Sequence, residues 1–289
     1  MAPIDTLADL YDAIVADGIA RLDRHWEAAL AGQEVAVHQS RVALRRLRSH
    51  MAMLRPWAEA SWARPLVKDL AALAAPLGPV RDLDVLAGRL ILDGNEKLDG
   101  GGEPLEARRA RQRQRALADA QRALDNPEAS SQLARVRQHL ATPALDGTVA
   151  IATVSTIVLD DAWARASSTV DNLKKRPRDA ELHRVRIKVK RLRYGAAALA
   201  SSPEDHRRRL AKKAAAVQDV LGGLNDASFA EAWLRDASAG STRLVAFAAG
   251  RLVERELGRA ASARSDWRPR WEALALEAAR VVGQKGATS

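Results

Sequence analysis

Val37-His38-Gln39-Ser40-Arg41-Val42-Ala43-Leu44-Arg45-Arg46-Leu47-Arg48 has an echo 145 residues further on. The echo is Leu182-His183-Arg184-Val185-Arg186-Ile187-Lys188-Val189-Lys190-Arg191-Leu192-Arg193. Both begin His-x-x-Arg and close on a basic residue followed by Arg-Leu-Arg. A second pair follows in the same order. Gly78-Pro79-Val80-Arg81-Asp82 corresponds to Gly222-Gly223-Leu224-Asn225-Asp226 at an offset of 144, and Lys68 corresponds to Lys212 at that offset. Two blocks in one order at nearly one offset mark an internal repeat. The chain therefore reads as one domain, 1–289, built of two similar halves, about 1–146 and 147–289.

Neither block holds a helix breaker, and each sits well on a helix. At 100° per residue, His38, Arg41, Arg45 and Arg48 fall within a stripe about 80° wide. Val37, Leu44, Leu47, Met51 and Leu54 lie beside it. The echo repeats this with His183, Arg186, Lys190 and Arg193 beside Leu182, Val185, Val189, Leu192, Ala196 and Leu199. A basic stripe thus runs along the edge of a core-facing stripe in each half. No Asp or Glu lies between Val35 and Arg55, nor between Leu182 and Ser202. A solvated helix face normally mixes charge signs, because opposite charges at i and i+4 stabilise the helix and like charges repel. Three like charges in a row, twice, point to an anion. Arginine suits phosphate through its planar, two-pronged donor geometry. The bland alternative is that acids elsewhere in the fold pair with these arginines. The two histidines are placed in the first helical turn, where helix polarity favours anions; packing between the halves is the competing role.

The rest of the chain is read as helical too. Alanine, leucine and arginine dominate, aromatics make up 4% of the residues, and β-branched clusters are rare. Prolines, among them Pro56, Pro65, Pro76, Pro127, Pro203 and Pro269, are expected where helices begin or stop. About a dozen helices of 12 to 25 residues and no sheet are expected. The β-branched run Thr148 to Leu159 stays helical, because Ile151, Val154 and Val158 keep the spacing. Asp99 to Pro104, with three successive glycines, is expected to be a flexible loop.

Composition narrows the function. The chain has 289 residues, 47% of them hydrophobic, so it can bury a core and is not a disordered chain. It has no cysteine, which excludes disulfides, thiolate metal sites and cysteine nucleophiles. Its net charge is +10, the balance of a protein that meets a polyanion. No run is apolar enough to span a bilayer, and Met1 to Ala13 lacks the character of a signal peptide, so a cytoplasmic protein with no membrane partner is expected. Secondary basic clusters occur at Arg108, Arg111, Arg115 and Arg122, at Arg255 and Arg259, at Lys174 to Arg178 and at Arg207 to Lys213; solvated faces paired with neighbours such as Asp119 and Glu256 are the expected role of the arginine sets.

The doubled block, with the Arg81-Asp82-Leu83-Asp84 and Asn225-Asp226 stretches, resembles the CHAD family, the conserved histidine α-helical domains. The resemblance covers nearly the whole chain. It implies an all-α fold of two four-helix-bundle-like halves related by a pseudo-twofold axis. It also implies binding of inorganic polyphosphate on a basic surface or pore, often at polyphosphate granules. By position the binding residues would be His38, Arg41, Arg45, Arg46, Arg48, His183, Arg186, Lys190, Arg191 and Arg193, with Lys68 and Lys212 added from the following helices. The triphosphatase-like module that many members carry, with its Glu-x-Glu-x-Lys strand motif, is not recognisable in this sequence, so hydrolase activity does not transfer.

Three functions fit these residues. The first is polyphosphate binding without catalysis and without a cofactor. The second is sequence-independent nucleic-acid binding, weaker because single-strand binders interleave aromatics for stacking and this chain has two Tyr and two Phe. Trp57, Trp163 and Trp233 are expected in the core. The third is a phosphate-processing enzyme acting through His38 or His183, or through a metal. The repeated acids Asp82, Asp84 and Asp226 would be its ligands, yet they fit better as helix caps or as groups that orient arginines.

Overall fold

The computed structural model describes residues 4–91, 100–202 and 204–283. Ten α-helices follow in order: α1 (Leu7–Leu30), α2 (Glu34–Met53), α3 (Ala60–Ala74), α4 (Leu77–Ala87), α5 (Gly102–Leu124), α6 (Pro127–Ala141), α7 (Ile151–Asp171), α8 (Asp179–Leu199), α9 (His206–Ser238) and α10 (Arg243–Ala278). A 3₁₀ turn at Arg55–Trp57 joins α2 to α3. Among the described residues no strand forms; there are two isolated bridges, Thr6 to Ala150 and Ala58 to Leu145. Local chemistry sets the helix starts. Thr6 and Asp9 form a reciprocal capping box at α1. Asn126 caps α6 with Pro127 at its first position, and Thr242 caps α10. Gly32 and Gly240 take φ of 81° and 68° after α1 and α9, a left-handed backbone that glycine adopts without steric cost.

The sequence expectation of an all-α chain holds, and its details change in four places. Pro65 and Pro269 lie inside α3 and α10 rather than at their ends. Both are exposed, so the carbonyls that lose a helical partner, those of Ser61 and Ser265, are on water-facing sides. α9 and α10 run for 33 and 36 residues, longer than expected. In the run from Thr148, the helix begins only at Ile151. The expected loop from Asp99 lies partly outside the described residues; Gly100 takes φ 81° and α5 already begins at Gly102.

One apolar core runs through both halves. Leu7, Leu10 and Leu22 of α1, Leu44 and Leu47 of α2, Leu66 and Leu70 of α3, Val185 and Leu192 of α8, and Leu210 and Val217 of α9 all belong to it. A smaller cluster holds Leu83 and Leu86 of α4, Leu105 of α5, Trp233 and Leu234 of α9 and Leu252 of α10. Trp233 is buried, whereas Trp57 and Trp163 pack only partly buried against the main core. α1 packs on α2, α7 on α8, α8 on α9, and α9 on α10 in a long hairpin. α2 and α8 meet, and the ring of His50 stands edge-on to Tyr194 with centroids 6.0 Å apart. The halves differ where proline acts. Pro76 follows the end of α3 and starts α4 as a separate helix, while Val220, 144 residues on, lets α9 run through.

Candidate functional site

α2 and α8 each carry an apolar stripe into the core, and this fixes where their basic stripes go. Arg41, Arg45 and Arg48 come out half-buried on α2, and Arg186, Lys190 and Arg193 half-buried on α8. The two stripes meet. Lys190 feels Arg45 and Arg48 from α2 together with Arg186 and Arg191 from its own helix. Arg186 feels Arg45 as well. Burial first, then these neighbours, push the Lys190 ammonium down to about 8 from 10.5. Arg41 and Arg186 are held below the ordinary guanidinium range, in both cases first by burial; the nearby carboxylates of Asp82 and Asp226, respectively, work in the other direction. His38 is lowered too, by burial and then by Arg81, Arg45 and Arg41.

Among the described residues no carboxylate forms an ion pair with Arg41, Arg45, Arg48, Arg186 or Lys190. The Nε of Arg186 is buried without a hydrogen-bond acceptor. The alternative reading, in which acids elsewhere neutralise the stripes, fails for these five. It holds for Arg46, whose Nη1 lies 3.7 Å from Asp17 Oδ2, and Arg193 is held by a neutral group, Gln218 Oε1 at 3.2 Å.

Glycines seat the two matching arginines. A Cβ on Gly78 would stand 2.8 Å from Arg41 Nη1, and one on Gly222 would stand 3.4 Å from Arg186 Nε. At Gly78 the end of the Arg41 side chain occupies the space a Cβ would take, whereas at Gly222 a Cβ would stand in ordinary contact with the Arg186 guanidinium. Sequence reasoning matched these glycines as repeats but did not see this role.

The other expected residues divide. Lys68 is exposed on α3 and lines a cleft of about 1010 Å³ with Arg48, Lys190 and Arg191, where α2, α3, α7 and α8 come together. Arg55, Arg64, Lys188 and Arg165 share this cleft and were missed, since none lies on the repeated stripe. Lys212 and His183 are exposed and lie outside that cleft. His38 and His183 occupy the fifth positions of α2 and α8, so they sit in the second turn rather than the first. Asp82 and Asp226 do stand near the stripes; the Asp82 carboxyl is raised, first by loss of water, with Asp226 adding to it and Arg41 opposing it. Asp84 is buried against Arg113 instead. Of the secondary arginines, Arg122 pairs with Asp119 on a solvated face as expected; Arg108 reaches Asp236 of α9 instead, and Arg255 and Arg259 meet the fully buried Glu256, so that set is not a solvated face.

Among the described residues no three His, Cys, Asp or Glu side chains converge into a metal-holding group. Among the described residues no helix is long and apolar enough to cross a membrane.

The CHAD domain family model matches residues 13–235. The chain belongs to the CHAD domain family. Its fold is similar to the crystal structure of the CHAD domain from the plant Ricinus communis, with a TM-score of 0.72 and 27% identity over 92% of each chain. It is similar as well to PptA from Streptomyces chartreusis, with a TM-score of 0.71 and 18% identity, covering 92% of this chain and 99% of that one. No curated protein matches it. The doubled His-x-x-Arg block thus marks the two helices whose basic stripes meet in this CHAD domain.

Proposed function

We propose that this CHAD domain binds inorganic polyphosphate, without catalysis, through the cations gathered where α2 and α8 meet. The observation that carries this is the set of half-buried, unpaired cations Arg41, Arg45, Arg48, Arg186 and Lys190, contributed by both halves. Taking cations out of water with no carboxylate in contact is costly, and the nearby Asp82 and Asp226 offset this only in part for Arg41 and Arg186, so the arrangement keeps a deficit of negative charge. A flexible chain with about one charge per phosphate satisfies such a row group by group, each contact being modest and the sum large. Arg46, Arg191, Arg193, Lys68, Lys212 and the two histidines extend the positive field around it. A cytoplasmic location, with attachment to polyphosphate granules, belongs to the same proposal.

Nucleic acid offers the same charge, yet no exposed Phe, Tyr or Trp among the described residues stands on the stripes to stack a base: Tyr194 is buried, and the exposed Phe229 and Phe247 lie on α9 and α10. Titration with long-chain polyphosphate at about 0.15 M salt, with single-stranded RNA of matched charge as competitor, tests the choice. Polyphosphate is expected to stay bound against excess RNA; equal competition would make the site a generic polyanion surface. Release of phosphate from polyphosphate and Mg²⁺ would overturn the non-catalytic reading.

A further inference from the structure

α10 packs on α9 and α5, and its inner face buries Val245, Ala249, Leu252, Val253 and Ala260. At 100° per residue, Arg243, Phe247, Gly250, Glu254, Leu257 and Ala261 fall on the opposite side within a stripe about 80° wide, and all six are exposed. Phe247 and Leu257 are 55% and 38% exposed, and Leu244 beside them is 56% exposed. Large apolar side chains gathered on one open helix face mark a contact surface. Gly250 adds a second observation. It stands inside the helix, where glycine is a poorer helix former than alanine. A Cβ there would meet nothing within 4 Å, so packing within the chain does not call for a glycine. Bare backbone on an exposed face leaves room for a side chain arriving from outside.

We infer that this face of α10 is an interface between two copies of this chain. Its charges select that occupant. Arg243 and Glu254 lie about 16 Å apart along the helix, and among the described residues neither forms an ion pair. In two antiparallel copies of α10, related by a twofold axis midway between Arg243 and Glu254, the Arg243 of each copy stands level with the Glu254 of the other. The same axis lies midway between Phe247 and Gly250, so the Phe247 ring of each copy meets the open backbone of the other. One register therefore satisfies both pairs, each of them twice, as a self-complementary interface requires. A surface for an unrelated molecule has no need for the two pairs to share one midpoint.

Sedimentation velocity of the full chain at about 1 to 200 µM, with no polyanion present and in about 0.3 M salt to screen the repulsion between two basic chains, tests it. A monomer–dimer equilibrium is expected. Gly250→Gln fills the open backbone and is expected to weaken the dimer at least about tenfold, while the monomer unfolds at the same or a higher temperature. Arg243→Glu is expected to weaken the dimer several-fold, although it lowers the net charge and so the general repulsion. Arg243→Glu/Glu254→Arg is expected to restore it, because the two pairs then face each other with signs exchanged. All three positions are exposed, so the fold is retained. A chain that stays monomeric over the whole range, or a dimer that none of these substitutions weakens, would overturn the inference. No polyphosphate enters the measurement, so either result leaves the reading above where it stands.

Discussion

Lys190 states the balance between stability and function most clearly. Its ammonium is half-buried among four arginines and has no carboxylate partner. Its folded value of about 8 lies below the ordinary 10.5. The folded chain binds the proton less well than the unfolded chain, so the penalty is complete below pH 8 and disappears as pH rises from 8 to 10.5. A bound polyanion reverses this by favouring the charged amine. Affinity for polyphosphate is therefore expected to fall as pH is raised from 7 to 9.5, by up to about tenfold per unit above 8. Lys190→Arg, which keeps its charge, is expected to flatten the profile, and a wild-type profile already flat over this range would remove Lys190 from the site. His50 works on the acid side. Burial holds its imidazole down at about 4, so its neutral form contributes stability above pH 6.5 that is lost as pH falls through 4. Denaturant unfolding from pH 7 to 4 is expected to show a loss of up to about 3 kcal/mol that His50→Gln reduces.

At the scale of the element, the α2 and α8 stripes were legible because two constraints coincide. A helix that must bury Leu44 and Leu47, or Val189 and Leu192, has only one place to put arginines at i, i+4 and i+7. The absence of acids in both stretches then left those arginines without local partners. What was not legible depends on contacts between helices. The cleft cations Arg55, Arg64 and Lys188 share no stripe with the repeat and meet only when α3 and α7 fold against α2 and α8. Pro65 and Pro269 looked like helix ends because propensity counts the lost hydrogen bond and not the packing that carries α3 and α10 past it. The two histidines were misplaced by one turn because neither Gln33 nor Arg178 is a residue type that announces a cap. The glycine seats give a test at this scale. Gly78→Ala removes no charge and adds a methyl group where the end of the Arg41 side chain lies. Stability is expected to hold or rise by up to about 1 kcal/mol, since alanine is the better helix former and the arginine end can move. Polyphosphate affinity is expected to drop several-fold. Unchanged affinity would show that the position of Arg41 does not matter.

Over the whole molecule, the two halves repeat more than the doubled block. Asp17 and Arg21 on α1 pair at 2.9 Å, and Asp161 and Arg165 on α7 pair 144 residues later at 2.7 Å. Each pair stands beside the basic stripe of its half: Arg46 reaches Asp17, and Arg191 and Lys188 act on Asp161. The shared core running from α1 to α10 packs these halves together. A polyanion held by about six such charges is expected to lose affinity on the order of a thousandfold between 50 and 200 mM salt. The most direct test compares two variants that lose equal charge. Arg45→Ala/Arg48→Ala/Lys190→Ala removes cations where α2 and α8 meet, and Lys174→Ala/Lys175→Ala/Arg176→Ala removes as many from the loop before α8. Binding of long-chain polyphosphate at 0.15 M salt is expected to weaken by roughly a hundredfold or more in the first and to change by no more than about threefold in the second. Equal weakening of the two would mean that net charge alone holds the polyanion, and the meeting of the two stripes would not be the site.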